Sequence, residues 1–175
     1  MSNGLGKVLF TEAEIAKRVA EVADEIDSDY AGKELVVIGI LKGSIYFLTD
    51  LTRRLKTPLK LDLLAIGVPK GETAQTRTVS FIKDLDLNIE GRHVLLVEDV
   101  VGTGLTLGYI RQHLELCKPA SISICTLLDN SSERLLNIPL AYRCFEMPDQ
   151  FVVGYGLDYD EDFRNLPYIA AYSRK

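Results

Sequence analysis

The chain alternates short, continuously apolar runs with segments whose apolar residues recur at helical spacing. Residues 35–40 and 94–97 are apolar almost without interruption, which is typical of strands that are covered on both faces. The other predicted strands are residues 59–66, 77–82, 121–128, 142–147, 151–155 and 168–172. Strands that alternate with helices through the middle of the chain predict an α/β fold with a doubly wound, mostly parallel sheet.

Helical periodicity marks three segments that are expected to flank this sheet. Thr11 and Glu14 fit a capping box, so the first helix is predicted to begin after Thr11. Its buried face carries apolar residues at helical spacing: Ile15, Val19, Val22 and Ile26. Residues 45–55 and 105–117 are predicted to form the second and third helices. The polar stretch 69–76, rich in Gly, Thr and Gln, is predicted to be a loop.

Length and composition favour one packed domain. The 175 residues fall within the usual size of a single domain, and a hydrophobic share of 47% is enough for a core. We therefore expect residues 1–175 to form one domain, in which the β-rich segment of about 141–175 contributes most of a small hood. The net charge of −5 argues against a nucleic-acid partner, because such proteins usually present a basic face.

The chain shows no pattern typical of a membrane or secreted protein. It has no apolar run of 18 residues, and its N-terminus, MSNGLGKVLF, lacks a long apolar segment behind a positive start. The cysteines are odd in number, and none belongs to a CxxC pair: Cys117, Cys125 and Cys144. We expect reduced thiols, a cytoplasmic location and no membrane partner.

The segment VLLVEDVVGTGLTL, residues 94–107, carries the most chemistry. A strand is followed by two carboxylates, Glu98 and Asp99, and then by a Gly-Thr-Gly turn at residues 102–104. In an open α/β sheet, ligands lie beyond the carboxyl ends of the strands. Glycines let the backbone approach an anion closely, and the next helix offers N–H groups and the positive end of its dipole. An ordinary strand-to-helix turn is the alternative on spacing alone.

The two carboxylates suit more than one ligand. Ionised carboxylates only accept hydrogen bonds, so a pair beside a phosphate cradle suits the hydroxyl groups of a ribose 5-phosphate. The same oxygens could hold Mg²⁺. A solvated acidic pair without a ligand is the third interpretation, and the spacing does not choose among the three.

Several stretches resemble the hypoxanthine-guanine phosphoribosyltransferases, a branch of the type I phosphoribosyltransferases. Residues 94–107 resemble the phosphoribosyl pyrophosphate motif, and residues 39–44 (GILKGS) resemble the pyrophosphate loop. Residues 81–85 resemble the segment after the flexible loop of the family, and residues 145–159 and 163–168 resemble its C-terminal hood. The similarity covers nearly the whole chain and implies the type I phosphoribosyltransferase fold.

The resemblance implies a reaction of purine salvage. A 6-oxopurine, hypoxanthine or guanine, would attack C1′ of phosphoribosyl pyrophosphate in the presence of Mg²⁺, giving IMP or GMP and pyrophosphate. The partners would be phosphoribosyl pyrophosphate and a purine base or nucleoside monophosphate. Family members typically pair near the second helix, so a homodimer or homotetramer is expected.

The resemblance also assigns residues to each part of the substrates. The catalytic pair at the ribose hydroxyls would be Glu98 and Asp99. The 5-phosphate would be bound by Thr103, Gly104, Leu105 and Thr106, and pyrophosphate by Lys42, Gly43 and Arg164. The base would be bound by Asn130, Tyr142, Arg143 and Asp149. In this assignment Tyr142 stacks on the purine, and the backbone at Arg143 forms hydrogen bonds with the edge of the purine ring. The Mg²⁺ ligands would be Asp149, Glu98 and Asp99.

Three positions depart from the family pattern. Gly102 stands where the family carries an aspartate that handles the proton at the purine N7, and Asn130 where it carries a lysine that donates to the purine O6. Val68 and Pro69 stand where the flexible loop has a Ser-Tyr pair. The leading hypothesis is a purine salvage transferase slowed by these changes. A non-catalytic paralogue that senses phosphoribosyl pyrophosphate or a nucleotide, and a transferase for another base, are the alternatives.

Overall fold

The structure, a computed structural model, describes residues 4–67 and 80–173. The helices of this part of the chain are α1 (Glu12–Asp29), α2 (Ile45–Arg54) and α3 (Leu105–Leu116), with a 3-10 turn at Ser131–Glu133. The strands are β1 (Leu5–Phe10), β2 (Leu35–Leu41), β3 (Leu59–Gly67), β4 (Ser80–Lys83), β5 (His93–Val101), β6 (Ser121–Asp129), β7 (Tyr142–Glu146), β8 (Val152–Val153) and β9 (Ile169–Tyr172).

Six strands form the main sheet, in the order β4-β3-β2-β5-β6-β7. The five strands from β3 to β7 in this order are parallel to their neighbours, and β4 pairs antiparallel with β3 at one edge. The predicted doubly wound, mostly parallel sheet is confirmed. From β2 the chain passes to β3 on one side, and later to β5 on the other. Ligand crevices form where the strand order reverses in this way, at the carboxyl ends of β2 and β5.

The helices cover both faces of the main sheet. Strand β5 shows why, because its apolar side chains alternate between two cores. Leu95 and Val97 belong to the core beneath α1 and α2, whereas Val94 and Leu96 belong to the core beneath α3. A strand that buries both faces reads as a continuous apolar run, and this is the pattern from which β2 and β5 were predicted.

The predicted helices are found with nearly the predicted bounds. Helix α1 begins after Thr11 with the predicted capping box: the Glu14 N–H donates to Thr11 Oγ1 over 3.3 Å, and the Thr11 N–H donates to Glu14 Oε2 over 2.8 Å. Helices α2 and α3 each end one residue earlier than the apolar pattern predicts. No helix among the described residues is long and apolar enough to span a bilayer.

The small sheet corrects the predicted composition of the hood. Its order is β1-β9-β8, so one of its three strands comes from the N-terminus, where no strand was predicted. Conversely β7, at the start of the β-rich segment 141–175, pairs parallel with β6 and closes the main sheet. The pattern of β7 did not distinguish these outcomes, because a short half-buried strand can pair in either sheet.

The segment that joins β3 to β4 lies partly outside the described residues. The predicted strand 77–82 therefore corresponds to β4 only from Ser80 onwards. Val68 and Pro69, which stand in place of the Ser-Tyr pair of the family, also lie outside the described residues.

Candidate active site

The phosphate turn, residues 102–106, links β5 to α3 as predicted. Gly104 is the N-cap of α3 and has φ = +82°, a left-handed conformation that favours glycine. A cavity of about 260 Å³ is lined by this turn and by Glu98. Thr103, Gly104 and Thr106 all line it, and Leu105 opens the helix with an exposed side chain. The N-terminus of α3 therefore faces a space that suits an anion.

The two carboxylates lie within β5, which runs four residues further than predicted, to Val101. Both side chains are half-buried, and a hydrogen bond joins the two carboxyl groups. Asp99 packs against the backbone at Gly43, since a Cβ added there would overlap its carboxylate. Only glycine fits at this contact between the loop after β2 and the acidic pair.

Burial perturbs both acids. Burial, and next to it the charge of Asp99, raises the pKa of Glu98 well above its ordinary value. Burial also raises the pKa of Asp99, although the hydrogen bond from Glu98 and the charge of Arg164 oppose this effect. A hydrogen bond between two carboxyl groups requires a proton, and because burial raises the pKa of Glu98 well above its ordinary value, Glu98 is the group expected to donate to Asp99. Glu98 Oε2 is buried and has no hydrogen-bond partner within residues 4–67 and 80–173.

Replacing Glu98 with Gln is expected to stabilise the ligand-free protein at neutral and alkaline pH. Because the pKa of Glu98 is raised in the native state, wild-type stability falls as the pH rises from the ordinary glutamate pKa of about 4.3 through the raised value. Glutamine does not ionise, so the variant does not lose stability in this pH range. We expect a gain of about 0.5–2 kcal/mol at pH 8, which vanishes near pH 4, in urea unfolding with EDTA present.

The matched control for this stability measurement is Glu90→Gln, at an exposed position before the other end of β5. Its effect should stay within about 0.5 kcal/mol at every pH. A Glu98→Gln variant that is less stable than wild type at pH 8 would contradict the assignment of an unfavourable buried charge.

Two cations, Lys42 next to Gly43 and Arg164 near Asp99, both pair with carboxylates of the hood. Lys42 follows β2 after a cis peptide bond, and its Nζ lies 3.1 Å from both carboxylate oxygens of Glu161. Arg164 donates from Nη1 to the Gly156 carbonyl over 2.8 Å, and its Nη2 lies 2.9 Å from Asp158 Oδ1 and 3.3 Å from Glu161 Oε2. The two cations of the site are therefore already paired, in part, with carboxylates of the protein itself.

A wider cavity of about 730 Å³ lies at the carboxyl ends of β6 and β7. Asn130 and Asp149 line it, together with the ring of Phe151 and the carboxylate of Glu133. Asn130 Oδ1 accepts a hydrogen bond from Ser132 Oγ over 2.8 Å, so its amide nitrogen is the group left to donate to a ligand. A planar ligand with a carbonyl oxygen suits such a cavity.

Comparison with known proteins decides the family. The family model described as "Phosphoribosyl transferase domain" matches residues 8–160. The chain belongs to the phosphoribosyltransferase family. It is 42% identical to the hypoxanthine phosphoribosyltransferase of Salmonella typhimurium, over 93% of each chain. It is 41% identical to the hypoxanthine-guanine phosphoribosyltransferase of Streptococcus pneumoniae, over 97% of this chain and 94% of the relative.

The fold agrees with solved phosphoribosyltransferases. A hypoxanthine phosphoribosyltransferase from Staphylococcus aureus superposes with a TM-score of 0.90 at 44% identity, covering 97% of this chain and 92% of that one. A hypoxanthine-guanine phosphoribosyltransferase from Bacillus anthracis gives 0.90 at 37% identity, covering 97% and 99%. The predicted type I phosphoribosyltransferase fold is confirmed.

Within this phosphoribosyltransferase, Tyr142 is not placed as the stacking platform that the resemblance implied. It begins β7, level with Cys125 in the middle of β6, whereas the wide cavity lies at the carboxyl ends of these strands. Its ring is buried in the core beneath α1, and its hydroxyl donates to Asp29 Oδ2 over 2.7 Å. A ring held in this way has no face available to a base, so this assignment is corrected.

The assignment of Arg143 is corrected for the same reason. Its carbonyl accepts a hydrogen bond of 2.8 Å from Arg18 Nη2, and its guanidinium lies 3.3 Å from Asp129 Oδ2. These contacts belong to a different cavity, on the α1 side of β7. The backbone at Arg143 is therefore occupied within the protein and does not line the cavity of Asn130.

Asp149 lines the wide cavity but is not grouped with the acidic pair. Glu98 lines the cavity of the phosphate turn, and Asp149 the other one. Among the residues that the structure describes, no cluster of three or more His, Cys, Asp or Glu side chains could hold a metal ion. The geometry thus separates Asp149 from the other two residues with which it was expected to share Mg²⁺.

Three residues at the site were not predicted: Glu133, Phe151 and Asp158. Phe151 lines the wide cavity, and Asp158 is the carboxylate nearest to Arg164. Both lie in the stretch 145–159, which resembles the family hood, so the resemblance offered a signal for them. Glu133 lies in a 3-10 turn that no sequence pattern marks as functional.

Proposed function

We propose that the protein transfers the phosphoribosyl group of phosphoribosyl pyrophosphate to a 6-oxopurine, hypoxanthine or guanine, forming IMP or GMP and pyrophosphate. One observation carries the proposal. The acidic pair and the phosphate turn come from the end of β5, Lys42 follows β2 and Arg164 comes from the hood, and contacts at Gly43 and Asp99 bring these groups together beside the strand-order reversal of the main sheet. A ribose with a phosphate at one end and a pyrophosphate at the other needs these three groups around it.

Each group has a role in the transfer. The N-terminus of α3 and the hydroxyls of Thr103 and Thr106 bind the 5-phosphate. Glu98 and Asp99 accept hydrogen bonds from the ribose hydroxyls, for which Glu98 gives up its proton. Lys42 and Arg164 bind the pyrophosphate and stabilise the charge that grows on it as the C1′–O bond breaks.

The residues present also fit a divalent cation. Glu98 Oε2 is buried without a partner among the described residues, and Asp99 and Asp158 add carboxylate oxygens beside Arg164. Hard cations prefer such oxygens, and Mg²⁺ is usually bound through few carboxylates together with substrate phosphates. Mg²⁺ bound with the pyrophosphate would neutralise charge on the leaving group. Because these carboxylates do not form a metal site on their own, Glu98, Asp99 and Asp158 are proposed to contact the ion together with the phosphate oxygens of the substrate.

The wide cavity is proposed as the base site. Phe151 offers the only aromatic ring among the described residues that line it, so the base is expected to stack there rather than on Tyr142. Asn130 would donate its amide N–H to the purine O6. A neutral donor stabilises less than the charged lysine of the family.

The Asn130→Lys variant is therefore expected to bind hypoxanthine and guanine more tightly. A charged hydrogen bond contributes about 1.5–3 kcal/mol against about 1 for a neutral one, so the KM for the base should fall on the order of tenfold. The control is Asn137→Lys, which adds the same charge at an exposed residue that lines the other cavity. Equal changes in both variants would mean that Asn130 does not face the base.

A radiometric assay with labelled bases and identified products tests the proposed function. Mg²⁺-dependent formation of IMP or GMP is expected, with adenine a poor substrate. The second candidate, a sensor that binds without catalysis, is favoured by the absence of a carboxylate at Gly102. Calorimetric binding of phosphoribosyl pyrophosphate without turnover of any base would support the sensor, and the absence of binding would overturn both.

We further propose a homodimer or homotetramer in the cytoplasm. Helix α2 exposes Ile45 and Tyr46, which are 45% and 43% accessible, next to the pyrophosphate loop. All three cysteines are free thiols, as expected in a reducing compartment. Light scattering at micromolar concentration measures the assembly, and a monomer mass would reject it.

A further inference from the structure

We propose that Glu133 supplies the carboxylate that the family carries at the position of Gly102, and that it accepts the proton that the purine loses at N7 during transfer. This inference rests on the proposed function. It assigns the proton to a residue from a different segment of the chain, the 3-10 turn after β6.

The position of the Glu133 carboxylate is the first observation. A Cβ built on Gly102 would have Glu133 Oε2 as its nearest neighbour, at 3.4 Å. By ordinary bond lengths, the carboxylate oxygens of an aspartate at this position would lie about 2.4 Å or more from the same Cβ. The Glu133 carboxylate therefore lies within reach of a short acidic side chain at residue 102.

The second observation is that residues on both sides of Glu133 are hydrogen-bonded to the backbone of the phosphate turn and the end of β5. Arg134 donates from Nε to the Gly102 carbonyl over 2.8 Å and from Nη2 to the Val101 carbonyl over 3.1 Å. The Leu135 and Leu136 N–H groups both donate to the Thr103 carbonyl over 3.0 Å. The Asn130 N–H donates to the Val101 carbonyl, also over 3.0 Å. Glu133 is thus held beside residue 102 by hydrogen bonds from four of its neighbours in the chain.

The third observation is that Glu133 faces the proposed base site. It lines the same cavity as Asn130 and Phe151. The other carboxylate beside the turn, Asp129, is engaged by Arg134 and lies 3.3 Å from Arg143 Nη1. Glu146 and Asp149 also line the cavity, from the β7 side. Glu133 is the one among these carboxylates that lies next to Gly102.

The chemical step balances with a carboxylate at this place. The N9 lone pair of the base forms a bond to C1′, and the C1′–O bond breaks with its electron pair leaving on pyrophosphate. The N7–H electron pair returns to the ring, and the N7 proton passes to Glu133. A positioned group of this kind contributes about 10²–10⁴-fold in rate.

A double-mutant cycle tests the assignment with four proteins: wild type, Glu133→Gln, Gly102→Asp and the double variant. We expect Glu133→Gln to lower kcat with hypoxanthine by about 10²–10⁴-fold, while binding of phosphoribosyl pyrophosphate by calorimetry stays unchanged. The double variant should have a kcat at least tenfold higher than that of Glu133→Gln alone. In the wild-type background, where Glu133 is already present, the Gly102→Asp substitution should raise kcat by a smaller factor than it does in the Glu133→Gln background.

The rescue is structurally feasible, because Gly102 is not in the left-handed region and a Cβ there has ordinary contact distances. Glu90→Gln, an exposed acid before the other end of β5, controls for net charge and should leave kcat unchanged.

Two results would overturn the role of Glu133 while leaving the proposed function intact. One is an active wild type with a Glu133→Gln variant of equal kcat. The other is a folded, inactive Glu133→Gln variant that Gly102→Asp does not restore, which is the behaviour of a merely structural residue. A wild type that turns over no base would instead overturn the proposed function, and the role of Glu133 with it.

Discussion

A single methyl group at residue 156 is expected to separate the pyrophosphate loop from the hood. Gly156 has φ = +102°, and a Cβ there would overlap the Gly43 carbonyl oxygen. Its N–H donates to the Arg164 carbonyl over 2.9 Å, and its own carbonyl accepts from Arg164 Nη1. Gly156→Ala therefore strains one residue and also displaces Gly43 and Arg164, the two sides of the proposed pyrophosphate site.

The expected cost of Gly156→Ala combines two effects. A left-handed conformation costs an L-residue about 1–2 kcal/mol, and forcing a methyl group into a packed contact adds about 1–3 kcal/mol. Urea unfolding should thus show a loss of about 2–5 kcal/mol. In the folded fraction, the KM for phosphoribosyl pyrophosphate should rise by more than tenfold, because the backbone that meets pyrophosphate has moved.

Gly32→Ala is the matched control, because it isolates the steric contact from the backbone strain. Gly32 also has a positive φ, of +74°, but nothing lies within 4 Å of a Cβ built there. This variant should lose only about 1–2 kcal/mol and keep its activity. If both variants lose the same stability, within about 0.5 kcal/mol, the steric contact between residue 156 and Gly43 does not contribute to the loss.

Replacing Arg164 with Met is expected to remove most of the affinity for pyrophosphate. The guanidinium is 79% buried, given a side-chain exposure of 21%, and its Nε is buried without a partner among the described residues. An anion that receives the planar donors of Arg164 gains charge-assisted hydrogen bonds of about 1.5–3 kcal/mol each. The Kd of Mg²⁺-pyrophosphate, measured by calorimetry, should rise about 10- to 100-fold.

Two comparison variants sharpen the result for Arg164. Arg111→Met removes an exposed arginine that pairs with Glu115 on α3, and should not change the Kd. Glu161→Gln should act in the opposite direction, because Glu161 competes with pyrophosphate for Lys42 and Arg164. Exposed ion pairs contribute about 0.2–1 kcal/mol, so binding should tighten by up to about fivefold. Weaker binding in Glu161→Gln would show that Glu161 orients the cations rather than competing for them.

The elements that could be predicted from the sequence are those whose signal is local. Helix α1 has both its capping box and its apolar face within 18 residues, and β2 and β5 are buried on both faces. The phosphate turn carries its glycines where the chain must turn. The predicted and observed bounds differ mainly at β5, because Glu98 and Asp99 end the apolar run although the backbone continues as a strand.

The elements that could not be predicted depend on distant partners. Strand β1 lies in the small sheet because it pairs with β9, more than 150 residues later, and no local pattern encodes that pairing. Tyr142 looked available for stacking because an aromatic residue at the start of a strand has the same sequence pattern whether it lines a cavity or a core. Its contact with Asp29, on α1, decided the outcome.

By itself, the sequence determined the α/β class, the phosphate turn, the acidic pair and, through resemblance, the family, since each rests on local patterns or motifs that are contiguous in the chain. Tertiary structure alone decided which groups share a cavity. It brought Glu133 next to Gly102, set Phe151 rather than Tyr142 at the wide cavity, and packed Gly156 against Gly43. The approaches of Glu133 to Gly102 and of Gly156 to Gly43 join residues that are 31 and 113 positions apart, so side-chain packing and loop hydrogen bonds decide these distances rather than local periodicity.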